Sequence, residues 1–120
     1  MISLKKFEDF LSLGVLKKKS SDVGRAKNLI LEAEEKFSFF QKVKDKVGSE
    51  DLSSNFVIET SYDILIQLIR AKLLMEGYKT DSHEAEISFM RNLDFSEKQV
   101  NFMNSLRYHR NGIKYYGIRF

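Results

Sequence analysis

The sequence predicts an all-α fold, an antiparallel bundle of four to five helices in a single domain spanning residues 1–120. Three observations carry this. Apolar residues recur at three- and four-residue spacing through most of the chain. Proline is absent, so nothing interrupts a long helix. No apolar–polar alternation competes with the helical period, and there are no repeats or low-complexity segments.

The elements follow in order. Residues 1–13 read as a short first helix, with Ile2, Phe7, Phe10, Leu11 and Leu13 apolar and Gly14 as its stop. Lys17, Lys18 and Lys19 follow in a loop, as a solvated run or a contact for phosphate. Ser20, Ser21 and Asp22 are helix-start residues. The second helix covers residues 23–46, with Ala26, Leu29, Ile30, Ala33, Phe37, Phe40 and Val43 inward, and Gly48 ends it.

Ser53 and Ser54 cap a third helix over residues 55–76. It is the most apolar segment. Its polar strip is narrow, made by Glu59, Asp63, Gln67 and Arg70. A helix of this kind is central in its bundle or buried at a dimer seam. The strip needs partners. Glu59 and Asp63 can support Arg110 on the last helix, or pair locally with Arg70 or solvent.

Gly77 stops that helix, and residues 78–81 read as a loop. Asp81 or Ser82 starts a short amphipathic fourth helix with Ile87, Phe89, Met90 and Leu93 apolar. Glu84 suits its first turn, and His83 reads as structural rather than catalytic. Ser96 with Gln99 forms a capping box for the last helix, residues 97–115. Val100, Met103, Leu106 and Ile113 form its inner side, widened by Phe102 and Tyr116. Gly112 inside a helix costs about 1 kcal/mol against Ala, so its missing side chain points to a close approach by another helix or a ligand.

Composition narrows the function. The chain carries a net charge of +3, too mild by itself to imply nucleic acid. Cysteine is absent, which excludes disulfides and thiolate metal sites. His83 and His109 show no metal-ligand spacing, no glycine-rich phosphate loop is present, and no cofactor is implied. No apolar run reaches the roughly 18 residues that span a bilayer, and Met1 to Lys6 hold no signal region. A cytoplasmic protein is expected.

Charge is unevenly distributed. After Glu97 the acids stop, while Lys98, Arg107, Arg110, Lys114 and Arg119 follow. This fits either the preference of helix C-termini for cations or an anion-binding face. Arg107, Arg110, Asn111 and Lys114 recur at three- and four-residue spacing and share one helix face. With His109 and two tyrosines nearby, such a face suits phosphate or RNA.

The stretch Arg110-Asn111, followed by Ile113, Tyr115, Tyr116 and Gly117, resembles the signature of HEPN domains (higher eukaryotes and prokaryotes nucleotide-binding). The similarity extends over residues 20–117. It includes Ser61-Tyr62-Asp63, the Gly77-Tyr78 turn and Ser82-His83-Glu84. The resemblance implies a small helical bundle that forms a homodimer and partners a minimal nucleotidyltransferase, as in toxin–antitoxin pairs. It also implies a further C-terminal helix, so this chain is expected to be a shortened form or to borrow packing surface from a partner.

In active family members an Arg and a His form a metal-independent ribonuclease site. Here Arg110 and Asn111 match, and Tyr115 stands in the His slot. Arg110 would stabilise charge on the scissile phosphate and Asn111 would orient it. Imidazole titrates near pH 6.5 and a phenol near pH 10, so Tyr115 is a poor general base. His109 could serve only by entering from a neighbouring subunit or turn. The expected function is therefore RNA or nucleotide binding through Arg107, Arg110, Asn111, Lys114 and Tyr116, supported by Glu59, Asp63 and His109. An active ribonuclease ranks second and a structural dimerisation module third.

Overall fold

The computed structural model describes residues 4–120. Among them are five α-helices: α1 (Phe7–Ser12), α2 (Val23–Val47), α3 (Ser54–Met75), α4 (His83–Ser88) and α5 (Glu97–Tyr116). The all-α expectation holds. The expected start of the first helix at Met1 to Ser3 lies outside the described residues; Leu4 to Lys6 precede the helix without joining it.

Local chemistry sets the long helices. Asp22, Ser53, Ser82 and Ser96 each accept a hydrogen bond from the backbone N–H three residues on, which satisfies one orphan donor of the first turn. The capping box is reciprocal: the Gln99 N–H donates to the Ser96 hydroxyl, and the Ser96 N–H donates to the Gln99 carboxamide. The fourth helix is shorter than expected, because residues 89–93 tighten into a 3₁₀ turn.

Two segments read as loops are strands. β1 (Leu16–Lys18) pairs antiparallel with β2 (Tyr78–Thr80), with Lys17 opposite Lys79. Three residues are too few to show an alternation, so the pairing leaves no local signature. Beyond the ladder the Lys19 N–H donates to the Gly77 carbonyl at 2.6 Å, and the Asp22 N–H to the Leu74 carbonyl at 2.9 Å. Gly77 has φ +84°, and a Cβ there would lie 2.5 Å from the Lys19 carbonyl oxygen. Glycine is therefore required where β2 leaves α3.

α3 is central, as its apolarity predicts. One side packs with α1, β1, α4 and α5 around Phe7, Tyr62, Ile66, Phe89, Val100 and Met103. The other side meets α2 through a much smaller cluster, Ala26 with Ala71 and Leu74. α2 departs from expectation here. Of its predicted inner residues only Ala26 and Ala33 are buried, and Phe37 is half exposed. A single neighbouring helix cannot cover a 25-residue helix. α3 likewise leaves Leu65, Leu68 and Met75 exposed on one flank.

On α5, Val100 and Met103 are buried as predicted, but Phe102 and Tyr116 do not widen the inner face; both are exposed. Gly112 is buried, and what approaches it is the chain's own tail: Ile118 Cδ1 would be 3.2 Å from a Cβ. Asn55 holds that tail, donating to the Ile118 carbonyl and accepting from the Phe120 N–H.

Candidate functional site

Polar side chains from α3, α4 and α5 converge on one seam. Arg110 Nη2 lies 3.7 Å from Asp63, and the guanidinium sits 5.5 Å from the centre of the Tyr62 ring. The expected support of Arg110 by Asp63 is present. Glu59 makes no ion pair among the described residues. One turn earlier, Arg107 Nε donates to the Asn104 side-chain oxygen at 2.9 Å, and its Nη1 lies 3.8 Å from Glu84. Both carboxylate contacts exceed the roughly 2.7–2.9 Å of a strong charge-assisted bond. Both arginines are mostly sunk, with side chains 13% and 19% exposed for Arg110 and Arg107. Lys114 is exposed at the end of the same stripe.

Asn111 accepts a 3.4 Å hydrogen bond from Arg110. Tyr115 is exposed, with the Lys114 ammonium 5.5 Å from its ring centre. Five residues at about 100° each turn it far from the Arg110 face. Tyr116, nine residues after Arg107, lies on the opposite side of α5 by the same arithmetic. His109 is engaged elsewhere: Nδ1 is 2.7 Å from the Ser105 carbonyl, and the ring packs edge-on against Phe120. Within one chain the structure thus gathers Arg107, Arg110, Asn111 and Asp63, and does not bring Tyr115, Tyr116 or His109 to them.

Sequence reasoning missed two parts of the seam. Arg70 does not pair with Glu59 or Asp63. It reaches Glu86 on α4 with two hydrogen bonds, 2.6 Å from Nε and 3.0 Å from Nη2. Glu86 is almost fully buried; burial pushes its carboxyl above the usual range, against the pull of Arg70. A charged residue inside a short apolar segment was the available signal.

The second is the Tyr62–His83 pair. The Tyr62 hydroxyl lies 2.8 Å from His83 Nδ1, and the rings stack. Tyr62 is fully buried; burial and the Glu86 charge push its phenol above the ordinary range. The phenol stays protonated, so it either donates to Nδ1 of the neutral ring or accepts from an Nδ1–H, as the tautomer dictates. Burial, then Arg70, Arg110, Arg107 and Lys114, hold His83 below the usual histidine range.

Fold and seam together define the class: a helical bundle with a half-buried, cation-rich polar seam on one side of its central helix. No protein-family model, no curated protein and no solved structure matches the chain. Among the described residues, no helix is long and apolar enough to cross a membrane.

Proposed function

We propose that this chain is a HEPN-type helical protein that binds RNA or a nucleotide through α5. In this reading it acts as the dimeric partner of a nucleotidyltransferase in a toxin–antitoxin-like pair. The family and the partner rest on the Arg110-Asn111 to Gly117 stretch alone. The binding face rests on one observation: Arg107, Arg110 and Lys114 line one side of α5, while the acids near the two arginines stand 3.7 and 3.8 Å away. Those contacts fix the guanidiniums yet leave donors for a phosphate.

The test is the salt dependence of binding to a labelled single-stranded RNA. Each lost phosphate contact flattens the slope of log affinity against log salt by about 0.7 for single strands. Arg107→Ala with Lys114→Ala is expected to weaken binding and flatten the slope by about 1.4. Unchanged affinity and slope would reduce this face to a solvated helix end.

A further inference from the structure

A cavity of about 280 Å³ opens among α2, α3, β2 and α4, and no residue of α5 lines it. Arg25, Arg70, Lys79, Asp81, His83 and Glu86 supply its polar lining. Arg70 spends Nε and Nη2 on Glu86, and its Nη1 has no partner among the described residues. The Arg70 side chain lines the cavity and is 31% exposed. Tyr62, which does not line the cavity, is bonded to Nδ1 of His83. With Nδ1 engaged, Nε2 is the ring nitrogen left for a ligand in the cavity. Arg25 and Lys79 make no ion pair among the described residues and stand exposed at the mouth.

We propose that this cavity is a binding site for a small phosphate-type anion, with Arg70 and His83 as the inner donors and Arg25 and Lys79 at the mouth. The lining fits an anion better than a cation. Three cations in the lining, Arg25, Arg70 and Lys79, stand against two acids, Asp81 and Glu86. The volume falls just under the roughly 300 Å³ at which drug-sized pockets begin, so the occupant is phosphate or the phosphate end of a mononucleotide rather than a polymer. The site is separate from the α5 face, and neither needs the other.

Occupancy is coupled to a proton on His83. The charged and titratable groups around it are Tyr62 and Arg70 from α3, and Arg107, Arg110 and Lys114 from α5. Glu84 and Glu86 come from its own helix, and Arg25 from α2, Tyr78 and Lys79 from β2, and Asp81 line the same cavity. Burial first, and then the excess of cations, hold the imidazole below the usual histidine range. An anion beside Nε2 reverses that field and favours the imidazolium. Binding therefore tightens as pH falls, by up to tenfold for each pH unit the histidine moves.

The chain has two histidines, His83 and His109, so proton NMR follows both ring signals on the intact protein. The pKa of each is read from about pH 5 to 8, without anion and with saturating sulfate, whose charge is constant there. The expected result is a rise at His83 of about one unit, with His109 unmoved. Arg25→Ala with Lys79→Ala, two surface changes, is expected to weaken sulfate binding by about tenfold or more. Inorganic phosphate and adenosine monophosphate are then compared at fixed pH. Tighter binding of the nucleotide assigns the site to a mononucleotide, and equal binding assigns it to free phosphate. No saturable shift at His83 with any of the three anions up to about 10 mM, or unchanged binding in the double variant, overturns the proposal.

Discussion

Arg70 on α3 grips Glu86 on α4 with its Nε and Nη2 at 2.6 and 3.0 Å, and the carboxylate it holds is 1% exposed. Such a pair offers little over an apolar replacement, but its half-removal is costly because a buried charge is left alone. Arg70→Ala is expected to lower stability by about 3–5 kcal/mol, measured by urea unfolding. Arg70→Met with Glu86→Leu should recover most of the loss. A cost for the single change under about 1 kcal/mol would mean that Glu86 finds water or protonates easily.

Stability should depend on pH through His83. Its folded pKa is lowered, so below the ordinary value of 6.5 the unfolded chain takes up the proton first. Stability attributable to His83 is complete above about pH 6.5 and is lost as pH falls through the folded value. Glu86, raised by burial, acts in the opposite sense from 4.5 upwards, so wild type alone does not isolate the term. Comparison with His83→Gln does, because Gln can still accept from Tyr62. Thermal unfolding followed from about pH 7.5 to 5.5 should fall more steeply in wild type than in the variant. Parallel curves would show that His83 titrates alike in both states.

Cleavage of RNA by the unmodified chain should stay near background. Arg110 can stabilise a charged phosphorus, but Tyr115 holds the place of the expected histidine, and general acid–base catalysis typically contributes about 10²–10⁴-fold. Tyr115 is 64% exposed and turned away within its own chain. Tyr115→His is expected to restore some cleavage of labelled single-stranded RNA in EDTA, through a second copy that brings it to Arg110. Adding Arg110→Ala should abolish that gain. Robust Arg110-dependent cleavage by the unmodified protein would reverse the ranking and make His83 the next residue to change.

The mass in solution tests the homodimer. Leu65 and Leu68 on α3 and Phe37 and Phe39 on α2 remain exposed. Exposed apolar surface of this kind marks contact faces. Light scattering at micromolar concentration should give about twice the 14.0 kDa chain mass. Leu65→Glu with Leu68→Glu should shift the protein to monomer if the α3 flank forms the contact. A monomer in the unmodified protein would remove the dimer from the proposed function.

Much of the architecture was legible because helices are specified locally. Asp22, Ser53, Ser82 and Ser96 cap through bonds three residues away, and Gly14, Gly48 and Gly77 stop the chain turning. Spacing alone put Arg107, Arg110, Asn111 and Lys114 on one face of α5, and the narrow polar strip of α3 showed that Asp63 needed a partner. What lies between distant residues was not legible. The β1–β2 pairing joins segments about 60 residues apart through backbone groups, which every residue carries. Arg70 chose Glu86, 16 residues on, over nearer acids because α4 packs its carboxylate into the interior, where a charge must be paired. Likewise His83 reads as an ordinary helix-start residue. Only the packing of α3 against α4 sets it on Tyr62 and places it in the cavity wall.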